Sequence, residues 1–211
     1  MIKIYLLDFS GAEAENFPTS ALPSFVRETK NDRQRRDRLF SYLLLSYAYS
    51  ENFREPMPPI EKDEYGRPHF VSGNIDFNIS HSGSLASVII SDEGRVGIDI
   101  QNTSAKVSER LTEKVEKSYA GIKDADKKAE LIFLRARDGE LFTDILPEVD
   151  FEDTAFFRKW TEREAFSKAD GRGLALIGRI NAENFVLVGN GFLEVRGEGY
   201  SFSAVKRCFG I

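Results

Sequence analysis

The sequence is poor in the residues that staple small proteins together. It has one cysteine, Cys208, in 211 residues. No internal disulfide can form, and a free thiol in a reducing compartment is expected. Two histidines, His69 and His81, add little material for a structural zinc site. No run comes near the roughly 20 apolar residues that a membrane helix needs, so no membrane partner is expected. The opening MIKIYLLDFSGAEAENF lacks the basic start and long apolar core of a signal peptide, and a cytoplasmic location is expected. Neither G-x-x-x-x-G-K-[ST] nor G-x-G-x-x-G occurs, which sets aside the usual nucleotide folds. The serine-hydrolase elbow G-x-S-x-G is missing as well. A net charge of −5 argues against a general nucleic-acid binder.

What is present suits a globular chain. It is 41% hydrophobic and 30% charged, and long enough to bury a core without metals or disulfides. IKIYLLD, Ile2–Asp8, reads as an opening strand. Residues 23–52 read as a helix, with Leu39, Leu43 and Tyr47 as a packed stripe. Its first half crowds Arg27, Lys30, Arg33, Arg35, Arg36 and Arg38 together, as a solvated surface or an anion site. REPMPPIEKDEYGRPHF is punctuated by Pro and Gly and reads as loop. NIDFNIS, LASVIIS and RVGIDIQ read as a meander of three strands. Asp76 and Asn78 fall on its open face, opposite Ile75, Phe77 and Ile79. Helices are expected at 107–119, 126–137 and 156–169, with a loop over 138–153, and strands return in NFVLV, FLEVR and YSFSAVKR. This order predicts an α+β fold of two subdomains, 1–102 and 103–211, with a ligand site between them.

Three stretches could carry chemistry. In RVGIDIQ, Asp99 sits between Ile98 and Ile100, where a carboxylate is costly to bury unless paired or metal-bound. Gln101, two residues on, projects to the same strand face. Oxygen donors of this kind suit Mg²⁺; the plainer alternative is an Asp that caps a nearby helix. In KWTEREAFSKADGRGL, Trp160, Glu164 and Lys168 share one helix face. On spacing alone they are a surface Glu–Lys pair beside a core Trp, worth about 0.2–0.5 kcal/mol. Gly171 or Gly173 is the expected C-terminal cap. FNISHSG ends a strand in a small polar turn that holds His81 between Ser80 and Ser82. Such a turn suits phosphate binding better than hydrolysis.

In this order and at these separations, GRPHF, FNISHSG, VGIDIQ and WTEREAFSKADGRGL resemble the 4′-phosphopantetheinyl transferase superfamily. Length and the two-halved layout resemble its surfactin-synthetase-activating (Sfp-like) branch. The resemblance spans residues 67–174, and the basic helix before them loosely. It implies a pseudodimer of two similar α/β subdomains with the active site in the cleft between them. It implies transfer of the phosphopantetheine arm of coenzyme A to a serine of an acyl or peptidyl carrier protein, with release of 3′,5′-ADP and with Mg²⁺ as cofactor. Carriers of fatty acid, polyketide and nonribosomal peptide synthesis share that serine, and the enzyme is expected to be a monomer.

Residue by residue, the resemblance makes Asp99 a metal ligand, with Gln101 beside it. It makes Glu164 a metal ligand and general base, and puts Lys168 on the diphosphate. Ser80 and His81 would contact coenzyme A, His81 near its 3′-phosphate. Arg67, Pro68 and His69 would line the adenine pocket, and Arg38 would meet the phosphates. Two positions depart from the pattern. Gln101 stands where the family often has Glu, and Arg163 where it often has Lys. They motivate an alternative, a non-catalytic paralogue that binds coenzyme A or the carrier. A third reading, a metal-dependent hydrolase of small phosphates, uses the same acids.

Overall fold

Strand β1 (Ile2–Asp8) is apolar on both faces, and the layers of the fold follow from that. The computed structural model describes residues 1–20, 22–118, 121–151, 156–172 and 182–208. From β1 the chain runs through α1 (Ser24–Arg27) and α2 (Asp32–Asn52) to a small hairpin, β2 (Ile60–Lys62) and β3 (Pro68–Phe70). Next come β4 (Asp76–Ser82), β5 (Leu85–Ser91), β6 (Val96–Asn102) and α3 (Glu109–Ser118). The remainder is β7 (Lys123–Asp124), β8 (Glu130–Arg137), β9 (Glu140–Asp144), β10 (Val149–Asp150), α4 (Phe156–Asp170), β11 (Phe185–Val195) and β12 (Glu198–Arg207).

The strands form two main sheets. One has the order β4-β5-β1-β8-β9; the other runs β10-β11-β12-β6, with β7 beside β11. β1 pairs antiparallel with β5 and parallel with β8. Successive strand residues point to opposite faces. Tyr5 and Leu7 of β1 therefore pack toward α2, with Phe40, Leu44, Leu45 and Ala48. Ile4 and Leu6 pack the other way, with Phe133, Ile98, Ile100 and Phe202, and fill the space between the sheets. α4 covers the far side of the second sheet, laying Ala165, Phe166 and Ala169 on Phe185, Leu187 and Val205. The result is an α–β–β–α stack with an α+β composition. Each fully buried large apolar side chain contributes roughly 1.5–3 kcal/mol, so the shared core between the sheets is a main cohesive element. Each sheet draws on both parts of the chain: β8 and β9 join β1, and β6 joins β11 and β12.

The opening strand and the helices near 107–119 and 156–169 lie where the sequence pattern put them. Residues 126–137 do not form a helix. They contain β8, which lies between β1 and β9. Leu131 and Phe133 enter the core between the sheets, and Ile132, Leu134 and Ala136 enter the other. A short apolar run does not reveal its period, and burial on both faces decides for strand. The helix expected at 23–52 is two helices. Asn31 restarts it, its Oδ1 accepting the Gln34 N–H at 2.9 Å. In α2, Leu39 is buried, but Leu43 and Tyr47 lie at the margin of the packed surface. The loop expected at 54–70 holds the β2–β3 hairpin, and that at 138–153 holds β9 and β10. NFVLV and FLEVR are one bulged strand, β11. The three-strand meander is not formed either, because β6 leaves β5 and pairs with β12. Among the described residues no helix is long and apolar enough to cross a membrane.

Candidate active site

β6 is the edge strand of its sheet, and side chains take up its outward N–H groups. Asp76 Oδ2 accepts from Val96 at 2.9 Å, and Asn78 Oδ1 from Ile98 at 3.0 Å. Ser80 Oγ accepts from Ile100 at 3.4 Å, and Ser82 Oγ from Asn102 at 2.9 Å. The polar residues of β4 therefore do not face water, as their alternation suggested. They stand in for a backbone ladder, which a buried edge must have replaced somehow. Asn78 and Ser80 are buried as a result. This ladder joins the two sheets and brings Ser80 against Asp99.

α4 closes the site from the other side. Gly97 makes the approach possible: a Cβ there would overlap the Ala165 carbonyl oxygen and lie 2.5 Å from the Ala169 nitrogen. Thr161 and Ser203 hydroxyls pair at 2.8 Å and fix the helix on β12. Gly171 ends α4 with φ +86°, its N–H donating to the Ser167 carbonyl at 3.0 Å. Gly173 lies outside the described residues.

Lys168 thereby reaches across to β6. Its Nζ donates to Asp99 Oδ1 at 2.6 Å and to Ser80 Oγ at 2.9 Å. Ser80 Oγ donates to the same Asp99 oxygen at 2.8 Å. Asp99 is thus buried and paired, not a helix cap. Glu164, one turn earlier, has its Oε1 buried with no hydrogen-bond partner. Burial pushes its carboxyl up to about 7, and Asp99 pushes the same way while Lys168 and Arg163 oppose. The Glu164–Lys168 spacing therefore serves a buried cluster, not a surface pair. Trp160, partly buried, packs near Phe156 at 6.4 Å between ring centres.

The other predicted residues divide. His81 Nδ1 lies 4.0 Å from Asp37 Oδ2. Burial lowers its pKa; Asp37 opposes, while Lys168 and Arg38 add to the lowering. Arg38 donates to Thr29 Oγ1 at 2.9 Å. Gln101 Nε2 donates to Ser82 Oγ and to the Asn102 carbonyl, both at 3.3 Å. Pro68 and His69 are in β3, where His69 Nδ1 is buried without a partner. Arg67 turns inward, and its guanidinium is spent on protein groups. Of the basic helix, Arg36 clamps the Phe9 and Ala12 carbonyls, and Arg35 pairs with Asp32. Sequence reasoning missed Asn78, Ser82 and Gly97 as builders of the site. The alternation from Asp76 to Ser82 was the available signal, read there as a solvent face.

Among the described residues, no group of three or more His, Cys, Asp or Glu converges. The donors nevertheless fit a hard divalent cation. Asp99 and Glu164 supply carboxylates on facing elements, and Gln101 an amide oxygen on the Asp99 face of β6. Such an ion would satisfy Glu164 Oε1, which is buried without a hydrogen-bond partner.

The fold and site define an α+β protein whose clustered acids and lysine lie between a sheet edge and a helix. Comparison with known proteins narrows that class, although no family model matches the chain. The chain is 31% identical over 152 residues to 4′-phosphopantetheinyl transferase AcpT of Escherichia coli (strain K12), covering 71% of this chain and 66% of the relative. It is 26% identical over 177 residues to the putative 4′-phosphopantetheinyl transferase of Haemophilus influenzae, covering 79% and 66%. It is 30% identical over 117 residues to 4′-phosphopantetheinyl transferase Sfp of Bacillus subtilis (strain 168), covering 54% and 41%. The chain thus spans just under two thirds of the length of the first two. These similarities place it in the 4′-phosphopantetheinyl transferase superfamily.

Proposed function

We propose that the protein transfers the 4′-phosphopantetheine arm of coenzyme A to a serine of an acyl or peptidyl carrier protein and releases 3′,5′-ADP. The observation that carries this reading is the cluster in which one ammonium, Lys168, bonds Asp99 at 2.6 Å beside the raised carboxyl of Glu164, whose buried Oε1 has no hydrogen-bond partner. In the transfer, the carrier serine Oγ attacks the diphosphate phosphorus next to the pantetheine. The P–O bond to the nucleotide breaks, and the serine proton goes to Glu164. Burial, which raises this carboxyl, favours its taking up a proton. Lys168 donates to the diphosphate oxygens as the leaving group gains charge. Ser80, His81 and Arg38 orient the coenzyme's phosphates. Asp99, Glu164 and Gln101 would hold Mg²⁺, which neutralises charge on the diphosphate when bound. In the same reading the chain is a cytoplasmic monomer, with subdomains 1–102 and 103–211 exchanging strands around the site.

The test is incubation with coenzyme A, Mg²⁺ and a panel of apo carriers, followed by intact-mass measurement. One phosphopantetheine mass on a carrier is expected. An unmodified panel would overturn the reading, and coenzyme A binding without transfer would favour the non-catalytic paralogue that Gln101 and Arg163 suggest.

A further inference from the structure

Arg67 is 8% exposed, and its guanidinium binds three parts of the chain beyond its own turn. The turn that launches it is closed by Asp63, whose Oδ1 accepts the Tyr65 and Arg67 N–H groups at 3.0 and 2.9 Å. From there Nε donates to the Lys168 carbonyl at 3.2 Å. Nη1 and Nη2 clasp Asp76 at 2.9 and 2.7 Å. Nη2 also reaches the Phe77 and Val96 carbonyls at 3.0 and 3.1 Å. Asp76 in turn accepts the Val96 N–H at 2.9 Å. The pair therefore holds both main-chain polar groups of Val96, on the strand that carries Asp99. It also supplies a donor to the last turn of α4, where the helix has none left for its carbonyls.

We propose that Arg67 and Asp76 form a positioning unit that sets Lys168 and Glu164 against Asp99. The inference rests on the functional reading above. Arg67 would act through these residues and touch no ligand, because it is buried and each nitrogen of its guanidinium is bonded inside the chain. That differs from the adenine-pocket role the resemblance implies. The Thr161–Ser203 pair holds the first half of α4 and the close approach at Gly97 its middle, while Arg67 holds the last turn, where Lys168 sits. The fork of Arg67 clasps Asp76 bidentately while its Nε holds the Lys168 carbonyl, a combination that a lysine cannot make. A misplacement of about 1 Å at a reacting group can cost about 10²-fold in rate.

The test compares Arg67→Lys and the double variant Arg67→Met/Asp76→Leu with the wild-type chain. The double variant leaves no unpaired buried charge and is expected to fold. In both, kcat should fall about 10²-fold while the KM for coenzyme A holds, the signature of lost alignment without lost binding. A raised KM with unchanged kcat would overturn the proposal and make Arg67 a coenzyme contact, and unchanged kinetics in a folded double variant would also overturn it. A crystal structure of the double variant reads the coupling without turnover. The Lys168–Asp99 contact should open beyond roughly 4 Å, the limit of an ion pair, and a retained contact would overturn the proposal. A wild-type chain that modifies no carrier would refute the functional reading instead, with the coupling still decided by that distance.

Discussion

Among the described residues two aspartates are buried at strands, and their surroundings differ in kind. Asp8, 1% exposed, ends β1. Its Oδ1 accepts the Ser10 N–H and hydroxyl at 2.9 and 2.5 Å, and its Oδ2 meets Arg196 at 2.9 Å and Arg135 at 3.5 Å. Both oxygens are used, and Arg196 answers the charge together with Arg135, which Asp8 shares with Asp144. Asp99, 6% exposed, takes Ser80 and Lys168 on a single oxygen. Lys168 there faces two neighbouring carboxyls, and the second, Glu164, is raised to about 7 although Lys168 and Arg163 both oppose. A buried acid with its charge matched is architecture. A buried acid in an undermatched cluster is where a cation and a reacting group have room to act.

The sharpest way to break the comparison is to remove each acid. Asp99→Ala and Glu164→Ala should each lower kcat by about 10³-fold or more, since each removes a carboxylate that would hold Mg²⁺ beside the reacting diphosphate. Steady-state transfer assays read this. Lys168→Ala should cost about 10²-fold by removing one donor to the diphosphate; an unchanged rate and coenzyme affinity would deny it that role. Gly97→Ala should cost about tenfold in kcat and about 1–3 kcal/mol in stability, because backbone of α4 must move. Asp8→Asn should cost about 1.5–3 kcal/mol in urea unfolding, through weakened bonds to charged groups, yet leave kcat per folded molecule unchanged.

The smallest effect is a pH dependence. Folded, Glu164 keeps its proton up to about pH 7, whereas its ordinary value is 4.5. Between these limits the native state binds more protons than the unfolded one, so ionisation of Glu164 lowers stability as pH rises. Glu164→Gln should therefore melt roughly 2–4 °C above the wild type beyond pH 7 and level with it near pH 4.5, the shift of about 1 kcal/mol in a chain this size. A constant offset across that range would show that Glu164 is not perturbed.

The same contrast explains what was legible in the sequence. Asp99 was readable because Ile98 and Ile100 flank it, whereas helix spacing read Glu164 and Lys168 as a surface pair and only the resemblance put them in the site. Asp8 gave no such signal; its partners Arg135 and Arg196 are far along the chain. β1 and α4 were readable from their own periods. β8 was not, because Glu130–Arg137 carries a short apolar run that either element could use. Nor was the side-chain ladder from β4 to β6. Alternating polar residues look the same facing water or a neighbouring edge strand, and only the topology separates the two.

The most direct test puts wild type and Asp99→Ala side by side with coenzyme A, Mg²⁺ and an apo carrier, and weighs the carrier. One phosphopantetheine on the carrier serine is expected with the wild type and almost none with the variant. An equal yield from both, or an unmodified carrier serine with the wild type across the panel, would contradict that expectation.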